Sequence, residues 1–282
     1  MSASAVVPAS SANLGPGFDA FGLALTLRDE LAAEVIPSGL EIAVSGEGEG
    51  DVPLGPDHLV VRAIEAAFEH VGERATGVRL TCVNAIPHAR GLGSSAAAIV
   101  GGLAIGAQLV GQPLDKDTLF CLAAKLEGHP DNVAAAVYGG FTIAWTEPTG
   151  PQAVRLDVQV PVTVLVPPSA VSTELARRLL PAEVPHADAA SNSGRAALVV
   201  AALQGRPELL MAATEDALHQ SYRAEAMPES FELVQELRST DVPAVISGAG
   251  PTVLAFGRGL PVPDGWAAHE LDVDPDGVRV LT

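Results

Sequence analysis

The sequence predicts a mixed α+β protein of two domains. Segments rich in β-favouring residues recur along the chain between segments whose apolar residues have helical spacing. The length of 282 residues is enough for one large or two modest domains. The Pro- and Gly-containing stretch Glu147–Pro151 is the best candidate boundary, and it divides the chain into residues 1–150 and 151–282.

The first domain combines short strands with helices that carry apolar or small residues. Val61, Ile64 and Phe68 recur at helical spacing, and Gly72 suits the end of that helix. The predicted strands are Ala3–Val7, Phe18–Leu27, Leu31–Ile36, Leu40–Ser45, Val78–Val83 and Phe141–Trp145. The predicted helices are His58–Val71, Ala96–Ala107, Leu119–Leu126 and Val133–Val137.

The second domain repeats this mixture with more helix. Ser172 is a plausible N-cap for the first of its helices, and Pro181 ends that helix. The predicted strands are Val160–Val166, Val242–Ser247, Thr252–Phe256 and the edge strand Val278–Leu281. The predicted helices are Glu174–Leu180, Arg195–Leu203, Pro207–His219 and Phe231–Arg238.

The composition argues against two classes of partner. The formal net charge is −18, with 34 acidic residues against 16 Lys and Arg. Nucleic acids and anionic lipids both attract clustered positive charge, so we expect neither as a partner. The longest apolar run, Ala96–Ala107, is too short for a membrane span, and no secretory signal is visible. We therefore expect a cytoplasmic protein.

A glycine turn followed by small helix-forming residues is the strongest local signal. Glycines allow close approach of a ligand, and a helix starting there directs free N–H groups and its positive dipole end into the turn. Such a turn is a ready site for phosphate. The predicted phosphate-binding residues are Pro87, His88, Ala89, Arg90, Gly91, Leu92, Gly93, Ser94, Ser95, Ala96 and Ala97.

This turn has three other interpretations, and the first of them is excluded. It is not a Walker A loop, because no Gly-Lys-Ser/Thr follows the glycines. Gly91, Gly93 and Ala96 match the spacing of a dinucleotide fingerprint, but residues 87–90 separate them from the preceding strand. A helix start built from small residues only for packing is the third alternative to a nucleotide-phosphate loop.

A second polar cluster follows the helix Leu119–Leu126. Glu127, His129, Asp131 and Asn132 lie within six residues. Mg²⁺ takes one or two carboxylates together with phosphate oxygens and waters, so Glu127 and the Ser95 hydroxyl are a candidate pair of ligands. His129 has no second His or Cys at zinc spacing. A capped helix junction is the alternative for this cluster.

Three stretches together resemble the GHMP kinases, the family of galactose, homoserine, mevalonate and phosphomevalonate kinases. They are the glycine turn at residues 87–97, called the phosphate loop below, the segment Pro8–Asp19 and the segment Ser247–Thr252. Within the family, Ser-Ala-Asn-Leu-Gly-x-Gly-Phe-Asp and Glu-Gly-His-Pro-Asp-Asn are similar to the homoserine kinase branch. The resemblance implies an N-terminal domain like ribosomal protein S5 and a C-terminal ferredoxin-like α/β sandwich.

The resemblance also implies an activity and a set of site residues. It implies ATP-dependent phosphorylation of L-homoserine in threonine biosynthesis, with ATP as co-substrate and Mg²⁺ held by Ser95 and Glu127. Asn132, Ser95 and Glu127 are the implied catalytic residues. The implied substrate-binding residues are Asn13, Asp19, His129, Asp131, Thr173, Arg177 and Arg223. Arg177 and Arg223 would hold the carboxylate, for which the planar guanidinium is well suited.

Two positions leave alternatives. Mevalonate-type relatives have an Asp base near Asn132, and an amide cannot take up a proton, so the resemblance implies transfer without a strong protein base. His58 falls near the adenine, where homoserine kinases often have Asn. Arg195 is a further, weaker carboxylate candidate.

The alternative function is that of another GHMP kinase, for mevalonate or a sugar, or of a non-catalytic nucleotide-binding regulator. The expected assembly is a homodimer.

Overall fold

The computed structural model describes residues 1–281, and the last residue of the predicted second domain, Thr282, lies outside that range. Its strands are β1 Ser2–Ala12, β2 Phe21–Val35, β3 Gly39–Gly46, β4 Gly77–Asn84, β5 Phe141–Glu147, β6 Gly150–Leu156, β7 Val162–Val166, β8 Ala244–Ile246, β9 Val253–Phe256, β10 Ala267–Leu271 and β11 Arg279–Leu281. Its α-helices are α1 Leu59–Val71, α2 Ser94–Leu109, α3 Lys116–Glu127, α4 Asp131–Tyr138, α5 Thr173–Arg178, α6 His186–Leu203, α7 Leu210–Ala213, α8 Gln220–Arg223 and α9 Pro228–Ser239. The mixed α+β prediction is confirmed.

The first sheet is organised around a strand longer than the sequence pattern indicated. Strand β2 pairs with β1, β4 and β5, while β3 runs parallel to β4 and β6 pairs with β5. The strands predicted at Phe18–Leu27 and Leu31–Ile36 are therefore one strand. The polar residues between them are satisfied by distant partners, since Arg28 contacts Asp274 and Asp29 accepts two backbone hydrogen bonds.

Helix α2 fixes the phosphate loop to this sheet. Twelve of its 16 residues are buried, because the sheet strands β1 and β2 and the helices α1, α3 and α4 all pack on it. A helix that is apolar all round belongs in a protein interior. Its N-terminus is thereby held in a fixed direction relative to the sheet. Within residues 1–281, no helix is both long and apolar enough to span a bilayer.

The second sheet has the strand order β10-β7-β9-β8, and every pair in it is antiparallel. This is the order of a ferredoxin-like sheet, but residues 257–266 form a loop where that fold has its second crossover helix. Val164 and Leu254 pack on one side into the main core, and Leu165 and Val253 pack on the other side with α9. The sheet is therefore buried on both faces.

The two units are joined more closely than a linker at Glu147–Pro151 implies. That stretch forms the two-residue hairpin between β5 and β6, both of which belong to the first sheet. Strand β11 returns to the first sheet and pairs with β1. The division at residues 150 and 151 stays a prediction, but this pairing favours a change of domain after Leu156.

The helices of the second half differ from their predicted bounds. Helix α6 begins nine residues before the predicted start at Arg195. The single helix predicted at Pro207–His219 is instead a 3₁₀ turn followed by α7, and it ends at Ala213. The Asp216 carboxylate accepts hydrogen bonds from the N–H groups of Leu218, His219 and Gln220, which starts a new turn and directs the chain into α8.

Candidate active site

A cavity of ≈ 350 Å³ lies where the phosphate loop meets the turn after β1, the starts of α4 and α5, and α8. Gly248 and Ala249, between β8 and β9, close it on one side. Two larger cavities, of ≈ 570 and ≈ 390 Å³, contain none of the predicted site residues. The predicted acceptor-binding and catalytic residues that line the first cavity are Asn13, Asp19, Ser95, His129, Asp131, Asn132, Thr173, Arg177 and Arg223.

The phosphate loop requires its two glycines. Gly91 and Gly93 have φ values of +76° and +70°, which side chains disfavour. A Cβ on Gly91 would lie 2.2 Å from the backbone oxygen of Ser247, and one on Gly93 would lie 2.1 Å from Ser10 Oγ. Helix α2 begins directly after Gly93, so the unpaired N–H groups of its first turn lie at the cavity edge, where Ser94 is a lining residue.

The predicted phosphate-binding residues divide into two groups. Ala89, Gly91, Gly93, Ser94 and Ser95 line the cavity, and His88 lines a neighbouring one. The others line neither cavity: Pro87, Leu92, Ala96 and Ala97 are buried, and Arg90 donates to the carbonyl oxygens of His88, Pro167 and Pro168. The Arg90 side chain thus fastens the loop to the second domain.

Ser95 and Glu127, the predicted metal ligands, are in direct contact. Ser95 Oγ donates a hydrogen bond of 2.7 Å to Glu127 Oε2. Glu127 ends α3, and Gly128 follows in the left-handed conformation that closes the helix. Residues 1–281 contain no group of three or more His, Cys, Asp and Glu side chains arranged for a metal ion. One hydroxyl and one carboxylate nevertheless fit Mg²⁺ that takes its other ligands from phosphate and water.

The start of α4 holds three of the predicted residues in a fixed arrangement. Asp131 is buried, and its Oδ1 accepts hydrogen bonds from the backbone N–H of Asn132 and from His129 Nδ1 at 2.8 and 2.9 Å. The hydrogen bond that His129 donates to the Asp131 carboxylate raises the pKa of His129. Asn132 Oδ1 accepts from Ser10 Oγ at 2.9 Å, which leaves its Nδ2 as the group able to contact a ligand. Sequence reasoning missed Ser10, whose role depends on a partner 122 residues away.

The Asn13 side chain stabilises the turn that carries Asp19. Its Oδ1 accepts from the Asp19 N–H at 2.9 Å, and its Nδ2 donates to the Gly248 carbonyl at 2.8 Å. Both residues have positive φ values, +72° and +55°, as Asn and Asp tolerate better than most. Because both ends of the amide have protein partners, the predicted contact between Asn13 and the substrate stays a prediction.

Asp19 and Arg177 bind each other in this structure. Arg177 Nη2 and Nη1 donate to the two Asp19 carboxylate oxygens at 2.9 and 3.1 Å, and each side chain is 39% exposed. This bidentate contact raises the pKa of Arg177. Both residues were predicted to bind the substrate, with Arg177 at its carboxylate, and their contact with each other was not predicted. Their opposite charges attract each other, and the partial exposure of both side chains keeps the pair weak.

Arg223 is a buried cation that forms no ion pair with any carboxylate of residues 1–281. It is 2% exposed, and its Nε donates to the Ala176 carbonyl at 3.1 Å while Nη1 lies 3.4 Å from the Gly248 carbonyl. Burial lowers the pKa of Arg223, and the neighbouring Arg177 acts in the same direction. Burying an unpaired charge is costly. An anionic group bound in the cavity would therefore be stabilised by the Arg223 guanidinium.

The start of α5 lies at the cavity, whereas Arg195 lies away from it. Ser172 accepts a hydrogen bond from Leu175 N at 3.1 Å and is the predicted N-cap. Thr173, the first residue of α5, is exposed at the mouth of the cavity. Arg195 forms an ion pair with Glu215 and does not line the cavity.

A second cavity of ≈ 240 Å³ lies on the other side of Ser94 and Ser95. Its lining is mainly apolar but includes His58, whose buried Nδ1 has no hydrogen-bond partner among residues 1–281. Asp29 also lines it, and burial raises the pKa of Asp29 to about 6. The predicted position of His58 beside a ligand is consistent with this cavity. Asp29 carries no local motif and was missed.

Comparison with known proteins gives the family. Residues 58–140 match the model described as GHMP kinases N terminal domain, and residues 198–262 match the model described as GHMP kinases C terminal. A homoserine kinase of Streptomyces avermitilis is 52% identical over an alignment of 288 positions, which covers 98% of this chain and 94% of that protein.

Solved structures agree with this assignment. The crystal structure of homoserine kinase from Cytophaga hutchinsonii has a TM-score of 0.86 at 25% identity and covers 99% of this chain and 97% of that one. A putative homoserine kinase from Listeria monocytogenes has a TM-score of 0.78 at 29% identity and covers 99% of both chains. The chain therefore belongs to the GHMP kinase family, and within it to the homoserine kinases.

Proposed function

We propose that this chain transfers the γ-phosphoryl group of ATP to the hydroxyl of L-homoserine, a step of threonine biosynthesis. The observation that carries the proposal is the pairing of two features in one cavity. The N-terminus of α2, whose free N–H groups suit a phosphate, lies at one side, and two guanidinium groups, those of Arg177 and Arg223, lie at the other. This arrangement suits an acceptor that carries a carboxylate.

The nucleotide would extend across the start of α2. The mainly apolar cavity beside His58 and Asp29 suits a nucleobase, and Ser94 and Ser95 border both cavities. The N–H groups of the first turn of α2 would then hold the β- and γ-phosphates. Ser95 and Glu127 would hold Mg²⁺, which supplies charge neutralisation to the transferring phosphoryl group.

The acceptor would exchange partners with the ion pair of Asp19 and Arg177. Homoserine carries an ammonium and a carboxylate, so its ammonium can replace Arg177 beside Asp19 and its carboxylate can replace Asp19 beside Arg177. The carboxylate would also satisfy Arg223, whose charge has no carboxylate partner among the described residues. Both half-exposed charges of the pair stay compensated throughout binding.

Transfer would depend on alignment more than on proton abstraction. Asn132 is fixed by Ser10 and Asp131, and its Nδ2 is a donor that cannot take up a proton. Phosphoryl transfer mainly asks the protein to position the reactants and to stabilise charge. The N–H groups of the loop and the Asn132 amide meet that requirement.

An acceptor panel tests the proposal. The release of ADP is measured with purified protein, ATP and Mg²⁺, and with homoserine, serine, mevalonate or galactose as acceptor. We expect homoserine to give the highest kcat/KM. Faster turnover with mevalonate or galactose would reject the acceptor assignment, and turnover with none of the four would favour a nucleotide-binding regulator.

Location, assembly and partners are also proposals. We place the chain in the cytoplasm, where ATP and amino-acid precursors are available, and we propose a small-molecule acceptor and no nucleic-acid or membrane partner. The net charge of −18 supports the last point. A homodimer is the assembly we propose, and light scattering of the purified chain gives its mass directly.

A further inference from the structure

Arg223 is surrounded by groups that accept from it or stack on it. Besides the two carbonyl contacts already described, His219 Nδ1 lies 3.4 Å from Arg223 Nη1. The Arg223 guanidinium carbon lies 5.2 Å from the centre of the Phe18 ring. The ring of His219 also stacks on Phe18, with 5.2 Å between the ring centres and an angle of 27° between the ring planes. No contact in this group is an ion pair.

The protonation state of His219 follows from its partners. A guanidinium has no acceptor, so His219 Nδ1 must be the acceptor in its contact with Arg223. The proton is then on Nε2, which donates to the Gly15 carbonyl at 2.8 Å. His219 is fully buried, and burial lowers its pKa, which favours this neutral form.

The charged groups around His219 have opposing effects on that neutral form. Asp216, whose carboxylate is 3.7 Å from Nε2, favours the imidazolium, as does the more distant Asp19. Arg223 disfavours it. The Asp216 carboxylate is already the acceptor for three backbone N–H groups, including that of His219. Asp216 thus fixes the backbone of His219 and leaves Nδ1 directed at Arg223.

We propose that neutral His219 is a positioning residue for acceptor binding: it orients Arg223 so that the free edge of the guanidinium faces the cavity. Arg223 lines that cavity, and among residues 1–281 its Nη2 has no hydrogen-bond partner. An imidazolium would place a second donor and a second positive charge against Nη1. The inference rests on the proposed role of Arg223 as a carboxylate ligand.

The proposal also explains a feature of the Asp19 turn. Phe18 precedes Asp19 and contacts both His219 and Arg223, and the carbonyl oxygen of Gly15 in the same turn accepts from His219. One histidine therefore contacts both the turn that carries Asp19 and the side chain of Arg223. Asp19 and Arg223, which are proposed to bind the opposite ends of the acceptor, are therefore both positioned by His219.

Three substitutions separate the positioning role from a purely structural one. His219→Phe keeps the ring that stacks on Phe18 but removes both hydrogen-bonding nitrogens. His219→Gln keeps a donor for Gly15 and removes the acceptor near Arg223. His219→Asn can keep an oxygen acceptor at the Nδ1 position, but it removes the ring and the Nε2 donor that reaches the Gly15 carbonyl. His186→Gln, at an exposed histidine of α6, is the matched control.

Steady-state kinetics with each substrate varied give the readout. We expect His219→Phe and His219→Gln to raise the KM for homoserine ~10-fold, because both variants lose the acceptor for the charged Arg223 donor. His219→Asn keeps that acceptor, so its KM for homoserine should stay within ~3-fold of wild type. The KM for ATP should stay within ~2-fold in all three, because no hydrogen bond of His219 reaches the phosphate loop. His186→Gln should match wild type.

Two results would overturn the inference. If His219→Gln matched wild type while His219→Asn lost affinity, the contact with Gly15 would be the important one. If both KM values rose together with a lower melting temperature, His219 would be only structural. Arg223→Ala separates this inference from the proposed function: an unchanged KM for homoserine in that variant would reject the carboxylate role itself, whatever His219 does.

Discussion

Replacing Arg177 by alanine removes one of the two guanidinium groups that face the acceptor cavity. In the free protein the loss is small, because the ion pair with Asp19 is 39% exposed on both sides and such pairs contribute below about 1 kcal/mol. In the complex the substrate carboxylate loses a bidentate partner. Removing one member of a charge pair costs roughly 2–5 kcal/mol, and the partial exposure favours the lower end.

A loss of about 2 kcal/mol corresponds to a ~30-fold lower kcat/KM for homoserine. The assay is coupled ADP release, with homoserine varied at saturating ATP and then the reverse. The KM for ATP should change less than ~3-fold, since Arg177 lines only the acceptor cavity and not the one assigned to the nucleobase. Equal changes in both KM values would mean that Arg177 is not a ligand of the acceptor.

Arg178 provides the control for this experiment. It follows Arg177 on α5, is exposed and does not line the cavity. Arg178→Ala makes the same change of charge without removing a proposed ligand. We expect its kinetics to match wild type, and a loss like that of Arg177→Ala would mean that general charge, and not a placed guanidinium, attracts the acceptor.

Three further predictions concern the loop, the metal pair and the second cavity. Glu127→Gln keeps a partner for Ser95 but removes the charge, so kcat should fall roughly 10²-fold with an unchanged melting temperature; a kcat near wild type would exclude the metal role. Gly93→Ala places a methyl group against Ser10 in a left-handed conformation, so urea unfolding should show a loss of roughly 2 kcal/mol or more together with a higher KM for ATP. Asp29 has its pKa raised from 3.8 to about 6, so its contribution to stability is lost as the pH rises through that interval. Asp29→Asn should therefore make the unfolding free energy less dependent on pH there and higher at pH ~7.5 by up to about 3 kcal/mol, and a parallel pH profile would contradict the assignment.

The phosphate loop could be predicted from sequence because its physics is local. Gly91 and Gly93 need positive φ, and α2 must begin directly after them, so residue types and spacing alone indicate the structure. The pairing of Ser95 with Glu127 was also predicted, and the structure brings the two within 2.7 Å.

Other features were hidden because they depend on contacts across the chain. The polar residues Arg28 and Asp29 resemble a break between strands, yet β2 continues through them because Asp274 and the backbone at residues 85–86 satisfy them. The pairing of Asp19 with Arg177 likewise joins residues 158 positions apart. Their charges could be assigned from sequence, but not the contact between them.

A co-crystal structure with a non-hydrolysable ATP analogue, Mg²⁺ and L-homoserine would show where both substrates bind. We expect phosphates against the N–H groups of Gly91–Ser95, the metal at Ser95 and Glu127, and the acceptor carboxylate between Arg177 and Arg223. Triphosphate bound away from the start of α2, or homoserine with its carboxylate directed away from both arginines, would exclude the proposed site.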